Sequence, residues 1–325
     1  MNSDHNFLNQ FNHHFIKINE ALDKTFKSRI PLMKNIGHHS LLGEGKRLRP
    51  LLFVLSSELC GYKGDDVYKL ATIFEYIHTA SLLHDDVLDN AELRRKKPSA
   101  NHLWGSSAAV LSGDFFYSLA SAMAVDLKNL QFLETLARTT LRMTEGQIME
   151  LAHTHNWHIK KEEYMEIIIS KTAILMSATC GCAAMVAGVE KKSINDLKKF
   201  GMDLGIAFQL IDDILDYTSC EEEFGKPVGK DLKEGKITLP LIYTLFNFEN
   251  AEIERLEDRF KNQKAKDEDY EKMITTVRND GVLEKVRSEA KEYVDKASRQ
   301  LHFFPESPVK LNLLALNAHL ISRHF

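Results

Sequence analysis

Apolar residues recur at helical spacing along almost the whole chain. Val67, Leu70, Phe74 and Ile77 form one stripe, and Leu204, Phe208, Ile211 and Leu215 form another. Steps of three and four residues place such side chains on one face of an α-helix. Strict alternation of apolar and polar residues, the mark of a half-buried strand, is hard to find. Glycine, proline or charge clusters interrupt the helical period at 61–66, 94–99, 153–158 and 224–235. The pattern predicts an all-α chain, a single-domain bundle over 1–325 of roughly ten or more long helices. Within it one motif occurs twice: Asp85-Asp86-x-x-Asp89 and Asp212-Asp213-x-x-Asp216, each in an apolar helical stretch.

The 7 Pro and 16 Gly are spread along 325 residues without a linker-like cluster, which favours one domain. Hydrophobic residues at 44% and charged residues at 27% suffice for a substantial core. A formal charge of −4 and a pI of 6.4 argue against a general nucleic-acid binder, which needs a basic surplus to neutralise phosphates. Any phosphate chemistry is therefore local. The first ten residues have neither a basic flank nor an apolar run, so no secretory leader is expected and the cytoplasm is the expected compartment. Cys60, Cys180, Cys182 and Cys220 are too irregular for a disulfide framework or a zinc site and are expected to be reduced. The uncharged run 173–189 falls short of the roughly 20 apolar residues of a spanning helix. Its many small residues predict a tightly packed core helix rather than a transmembrane segment.

On a helix Asp85 and Asp89 share a face about 5–6 Å apart, with Asp86 beside them. Three like charges among Leu82, Leu83, Val87 and Leu88 cost stability unless a cation joins them. Oxygen-only donors favour a hard cation, and magnesium is typically held by one or two carboxylates plus substrate phosphates. Asp212, Asp213 and Asp216 repeat the arrangement, with Gln209 one turn earlier. A solvated acidic face is the plainer reading of one such motif; two inside apolar helices favour the metal. The Asp/Asn loop with central Gly and terminal Glu of an EF-hand is missing.

A metal-bound diphosphate still carries charge for Arg and Lys to meet. Lys46 and Arg49 precede Pro50, which opens an apolar helix whose N-terminal amides also favour anions. Arg94 and Arg95 follow the first aspartates; Lys226, Lys230 and Lys236 follow the second. No Walker-type loop exists, which disfavours phosphoryl transfer from a nucleotide. His153, His155 and His158 fit no usual zinc spacing and are read as a polar break between helices.

With these residues assembled, the chain resembles the trans-isoprenyl diphosphate synthase (polyprenyl synthetase) family. The motifs appear in that family's order: Gly45-Lys46-x-x-Arg49-Pro50, Leu-x-His-Asp85-Asp86-x-x-Asp89 followed by Arg94-Arg95, Gly113-Asp114, Lys171-Thr172, Phe208-Gln209-x-x-Asp212-Asp213-x-x-Asp216, Gly225-Lys226 and Asp231-Leu-x-Glu-Gly-Lys236-x-Thr238. The resemblance implies the isoprenoid synthase fold, helices around a central substrate cavity, and a prenyltransferase joining isopentenyl diphosphate to an allylic diphosphate. It implies Mg2+ held by Asp85, Asp89 and Asp212, with Asp86, Asp213 and Asp216 as further ligands or water-mediated partners. Arg94, Lys171, Lys226 and Lys236 would hold diphosphate; Lys46, Arg49, His78 and Arg95 would bind isopentenyl diphosphate. His78 has independent helical support, lying two turns before Asp85 on the same face. Lys171, Thr172 and Gln209 would stabilise the allylic cation.

Product length in this family depends on the helix before the first aspartates. Ala80 and Ser81 are small where short-chain synthases carry an aromatic residue, and Ile77 and Phe74 would meet longer tails at each helical turn of about 5.4 Å. By resemblance the product is a long all-trans chain of about eight isoprene units made from farnesyl or geranylgeranyl diphosphate. A short-chain farnesyl or geranylgeranyl synthase is the alternative, and a non-catalytic subunit of a heteromeric synthase is the reading of another class. The family is typically homodimeric; a buried face over 112–123 is one candidate for that contact, and peripheral membrane contact is left open. Three departures bear on loop geometry: Glu44 and Lys96 stand where the family usually has glycine, and Gln147 and Glu150 exchange the usual Glu and Gln.

Overall fold

The structure is a computed structural model that describes residues 7–41, 45–94, 96–218, 228–262 and 264–321. The helices run, in chain order, α1 (Asn12–Thr25), α2 (Pro31–Ser40), α3 (Leu48–Leu59), α4 (Val67–Leu88), α5 (Ala100–Trp104), α6 (Ser106–Asp126), α7 (Leu130–Ala152) and α8 (Lys161–Ile168). A π-helical turn, Ile169–Ala173, joins α8 to α9 (Ile174–Val186). There follow α10 (Lys191–Thr218), α11 (Lys230–Lys233), α12 (Leu239–Leu245), α13 (Asn250–Lys261), α14 (Asp267–Asn279), α15 (Val282–Gln300) and α16 (Pro308–Ile321). The all-helical expectation holds with one exception. The break at 94–99 is a small antiparallel hairpin, β1 (Leu93–Arg94) on β2 (Lys97–Pro98), with Leu93 opposite Pro98. Strands of two residues are too short to show an alternation in the sequence. Lys96, at the usual glycine position, adopts the left-handed region at φ 63°, a conformation that disfavours a side chain.

The chain packs as two compact units. One comprises 1–140, 176–199 and 301–314; the other comprises 141–175, 200–300 and 315–325. In the first, α4 lies against α3 and α6. Its interior is aromatic: Phe74 packs on Phe53 at 5.4 Å and on Phe132 at 6.1 Å, and Tyr76 stacks on Phe116 at 5.7 Å. In the second, Trp157, Phe260 and Tyr270 join the apolar faces of α8, α10, α12 and α15. Residues 175–185 of α9 are all buried, as expected of a core helix. By length and composition alone 161–186 and α6 could cross a membrane, but 78% of the former's apolar window is buried inside the protein. Cys60, Cys180 and Cys182 are free thiols, and burial pushes Cys180 up to about 12; Cys220 lies outside the described residues.

One expectation is corrected. Along α6 the residues Ser112, Phe116, Ala120 and Met123 are buried within their own unit, so that face is not available to a second subunit. The exposed side instead carries Val110, Leu111, Tyr117 and Val125.

Candidate active site

The first aspartates occupy the last turn of α4, with Asp89 as its C-cap. A helix C-terminus carries the negative end of the macrodipole, so carboxylates there are doubly disfavoured without a cation. The adjacent positions differ by about 100° around the axis, and burial sorts the carboxylates accordingly. Asp85 and Asp89 are partly exposed. Asp86 is 2% exposed and accepts a hydrogen bond from Arg94 Nε at 2.6 Å. Arg94, expected to meet diphosphate, thus meets an aspartate here, beside a pocket lined also by His39, Thr79, Lys97 and Ser99. His78 sits partly exposed on α4. Arg95 lies outside the described residues.

Lys46 is exposed, and Arg49 is the second residue of α3, at the helix N-terminus that Pro50 predicted. Between them Arg47 does something the sequence did not announce. Its backbone is left-handed at φ 49°, which turns its side chain into the core. There it pairs with the buried Glu75 at 2.7 Å, donates to Asn19 at 3.1 Å and also donates to the Leu41 carbonyl. The Arg47 anchor fixes the segment from which Lys46 and Arg49 project.

The second aspartates end α10 in the other unit. Asp212 is exposed, and Asp213 is 2% exposed. Both Asp213 oxygens are engaged: Tyr164 donates its hydroxyl to Oδ2, and Gln209 Nε2 donates to Oδ1 at 2.9 Å. Asp216 accepts the backbone amides of Lys230 and Asp231 at 3.1 Å each, capping α11. Gln209 Oε1 in turn accepts from the Thr172 hydroxyl at 3.0 Å. Lys171, in the π-turn, pairs with Glu150, and Lys236 pairs with Glu234 at 2.7 Å. One pocket is lined by Lys171, Thr172, Gln209, Asp213, Asp231 and Lys236, so the sequence-predicted residues on this side of the chemistry do converge. Lys226 lies outside the described residues.

Burial and like charge raise the Asp213 and Asp231 carboxyl groups of this pocket. Burial, then the Asp231 charge, pushes the Asp213 carboxyl well above the ordinary range, although Tyr164 and Gln209 oppose the shift. Burial also raises Asp231, against Lys236, and with Asp212, Glu234 and Glu150 nearby it reaches about 6. Oxygen donors, like-charge crowding and nearby cations fit a hard divalent ion shared with a substrate's phosphates. Among the described residues no three His, Cys, Asp or Glu side chains form a ready-made cage. His153, His155 and His158 do not gather either: they meet Asn156, the Gly235 backbone and Glu257 respectively.

Along the α4 stretch before Asp85, Ala80 is 4% exposed and Ile77 3%. Ser81 bonds the His78 carbonyl at 2.8 Å. Phe74 is fully buried between Phe53 and Phe132. Phe132, Tyr164 and the Arg47–Glu75 pair had no signal in the sequence that set them apart from ordinary core or surface residues.

Comparison with known proteins places this arrangement. Octaprenyl diphosphate synthase of Escherichia coli is 36% identical over 303 residues, 93% of each chain. That of Haemophilus influenzae is 36% identical over 95% of this chain and 94% of its own. The structure of a polyprenyl synthase from Caulobacter crescentus, complexed with calcium and isoprenyl diphosphate, superposes with a TM-score of 0.92 at 34% identity, covering 98% and 97% of the two chains. With the polyprenyl synthetase profile matching residues 30–277 as well, sequence, fold and aspartate pattern agree, and the chain belongs to the polyprenyl synthetase family.

Proposed function

We propose that the protein is a magnesium-dependent trans-polyprenyl diphosphate synthase that adds isopentenyl diphosphate repeatedly to an allylic diphosphate. The observation that carries this reading is the pocket that Lys171, Thr172, Gln209 and Lys236 line together with the carboxylates of Glu150, Asp213 and Asp231. Asp85, Asp89 and Asp212, the more exposed members of the two motifs, supply metal oxygens; Asp86, Asp213 and Asp216 serve through their protein partners or through water. Bound magnesium supplies charge that stabilises the departing diphosphate.

The chain's own residues do the rest. Lys171, Lys226, Lys236 and Arg94 hold the leaving diphosphate as its C–O bond breaks. Thr172 and Gln209 turn oxygen lone pairs toward the allylic cation that remains. Lys46, Arg49, His78 and Arg95 hold isopentenyl diphosphate so that its double bond meets the cation and a new C–C bond forms. The released diphosphate takes the proton lost from the adduct.

Similarity to octaprenyl diphosphate synthases, with small Ala80 and Ser81, supports a long product of about eight units. The enzyme acts in the cytoplasm as a homodimer, with the exposed aliphatic side of α6 covered by a second copy. Labelled isopentenyl diphosphate, farnesyl diphosphate and magnesium should give a ladder of products that ends near eight units and disappears with EDTA. A ladder ending at three or four units would leave the chemistry intact and refute the chain length. Folded protein without any metal-dependent product would refute the synthase.

A further inference from the structure

We infer that Tyr164 and Asp213 are positioning residues whose task is to orient the Gln209 amide, so that its carbonyl oxygen faces the allylic cation. The inference rests on the synthase reading above and assigns Asp213 to this amide in place of the metal. Tyr164 is 4% exposed and Asp213 2%, and they lie 49 positions apart in sequence, joined by the Tyr164 hydroxyl.

Asp213 Oδ1 is the accepting partner here, and an amide has one accepting end and one donating end. Tyr164 donates to Oδ2, and Gln209 Nε2 donates to Oδ1 at 2.9 Å. With one N–H of its NH2 group so committed, the amide presents Oε1 on its other side. Thr172 reads that orientation by donating to Oε1 at 3.0 Å. An amide turned by half a rotation would set its oxygen against an Asp213 oxygen and lose that hydrogen bond. The Tyr164 and Thr172 hydroxyl protons and one Gln209 N–H are taken up in this chain of hydrogen bonds, beside the pocket that all four residues line. The remaining lone pairs of Oε1 and of the Thr172 hydroxyl are the groups the arrangement leaves to attract a carbocation.

The arrangement separates binding of the ground state from binding of the cation. Two probes read the difference by calorimetry in magnesium: farnesyl thiolodiphosphate, uncharged at the reacting carbon, and an aza analogue of farnesyl diphosphate with an ammonium where the cation forms. Tyr164→Phe should weaken the ammonium probe about tenfold while leaving the thiolo probe unchanged, and kcat should fall by a similar factor at constant KM. An Asn can donate as well as accept toward Gln209, so Asp213→Asn no longer dictates which end of the amide faces it and should weaken the ammonium probe about tenfold while leaving the thiolo probe and the magnesium requirement unchanged. It also keeps the test alive should Tyr164→Phe fail to fold. Equal weakening of both probes by Tyr164→Phe, or a raised magnesium requirement with loss of both probes in Asp213→Asn, overturns the inference in an otherwise active protein. A wild-type protein that makes no polyprenyl product overturns the proposed function, and this inference with it.

Discussion

Gly146 of α7 lies so close to the π-turn that a methyl group on its Cα would fall 2.7 Å from the Lys171 amide nitrogen. Gly205 of α10 approaches the same turn, where a Cβ would fall 2.5 Å from the Ala173 Cα. π-turns are rare and concentrate at functional sites; here the close approach of two helices holds one in place beneath Lys171 and Thr172. Gly146→Ala or Gly205→Ala should cost about 1–3 kcal/mol of stability through overpacking. Each should lower kcat by roughly 10–100-fold, because the turn shifts by a fraction of its width. Urea unfolding and steady-state kinetics on the same preparations check both halves.

The buried pair of Arg47 and Glu75 supports the segment that carries Lys46 and Arg49. Replacing Arg47 by Met strands the Glu75 carboxylate in the core and should cost about 3–5 kcal/mol. Adding Glu75→Met should recover most of that loss, since two apolar side chains need no partner. Recovered stability without recovered affinity for isopentenyl diphosphate is the expected result, measured by denaturant midpoint and KM.

Asp231 makes the metal-free protein sensitive to pH in an unusual direction. The folded state holds a proton there up to about pH 6, whereas an unfolded chain releases it near pH 4, at about 3.9. Between those values the folded state binds more protons, so this group's contribution to stability falls as pH rises and is lost above the folded value. In EDTA, Asp231→Asn should abolish that slope and be more stable than wild type at pH 7 by at most about 3 kcal/mol. Unfolding curves from pH 4.5 to 7.5 that run parallel for the two proteins would contradict the assignment.

Product length offers a direct test of the α4 stretch. Phe74→Ala should open space beside Phe53 and Phe132 and extend the product by one or more isoprene units, at a stability cost of about 3–5 kcal/mol. Ala80→Tyr should shorten it. Mass spectrometry of the extracted products decides each, and no change in either variant would place the floor elsewhere.

The helices and the placing of both aspartate motifs at helix ends were legible in the sequence because helical periodicity and spacing are local. What escaped depends on partners far along the chain. The resemblance set Asp86 and Asp213 apart only as further ligands or water-mediated partners; that Arg94 and Tyr164 hold them is visible only in the fold. Arg47 looked like one more member of a basic run; its partner Glu75 is 28 residues away. The hairpin at 93–98 is too short for periodicity to detect, and a π-turn leaves no compositional mark. Tyr164 resembles any aromatic residue on an apolar helix face until Asp213 is placed beside it.

The wide turn at Ile169–Ala173 also has a consequence for how this stretch can evolve. Each residue added to or removed from a helix rotates everything beyond it by about 100°. A deletion between Tyr164 and Lys171 would leave a perfectly good helix and yet swing Lys171 and Thr172 away from Gln209 and Glu150. Substitutions here are graded in their effects, but a change of register is all or none. From α8 through α9 the chain can alter its letters far more easily than its count.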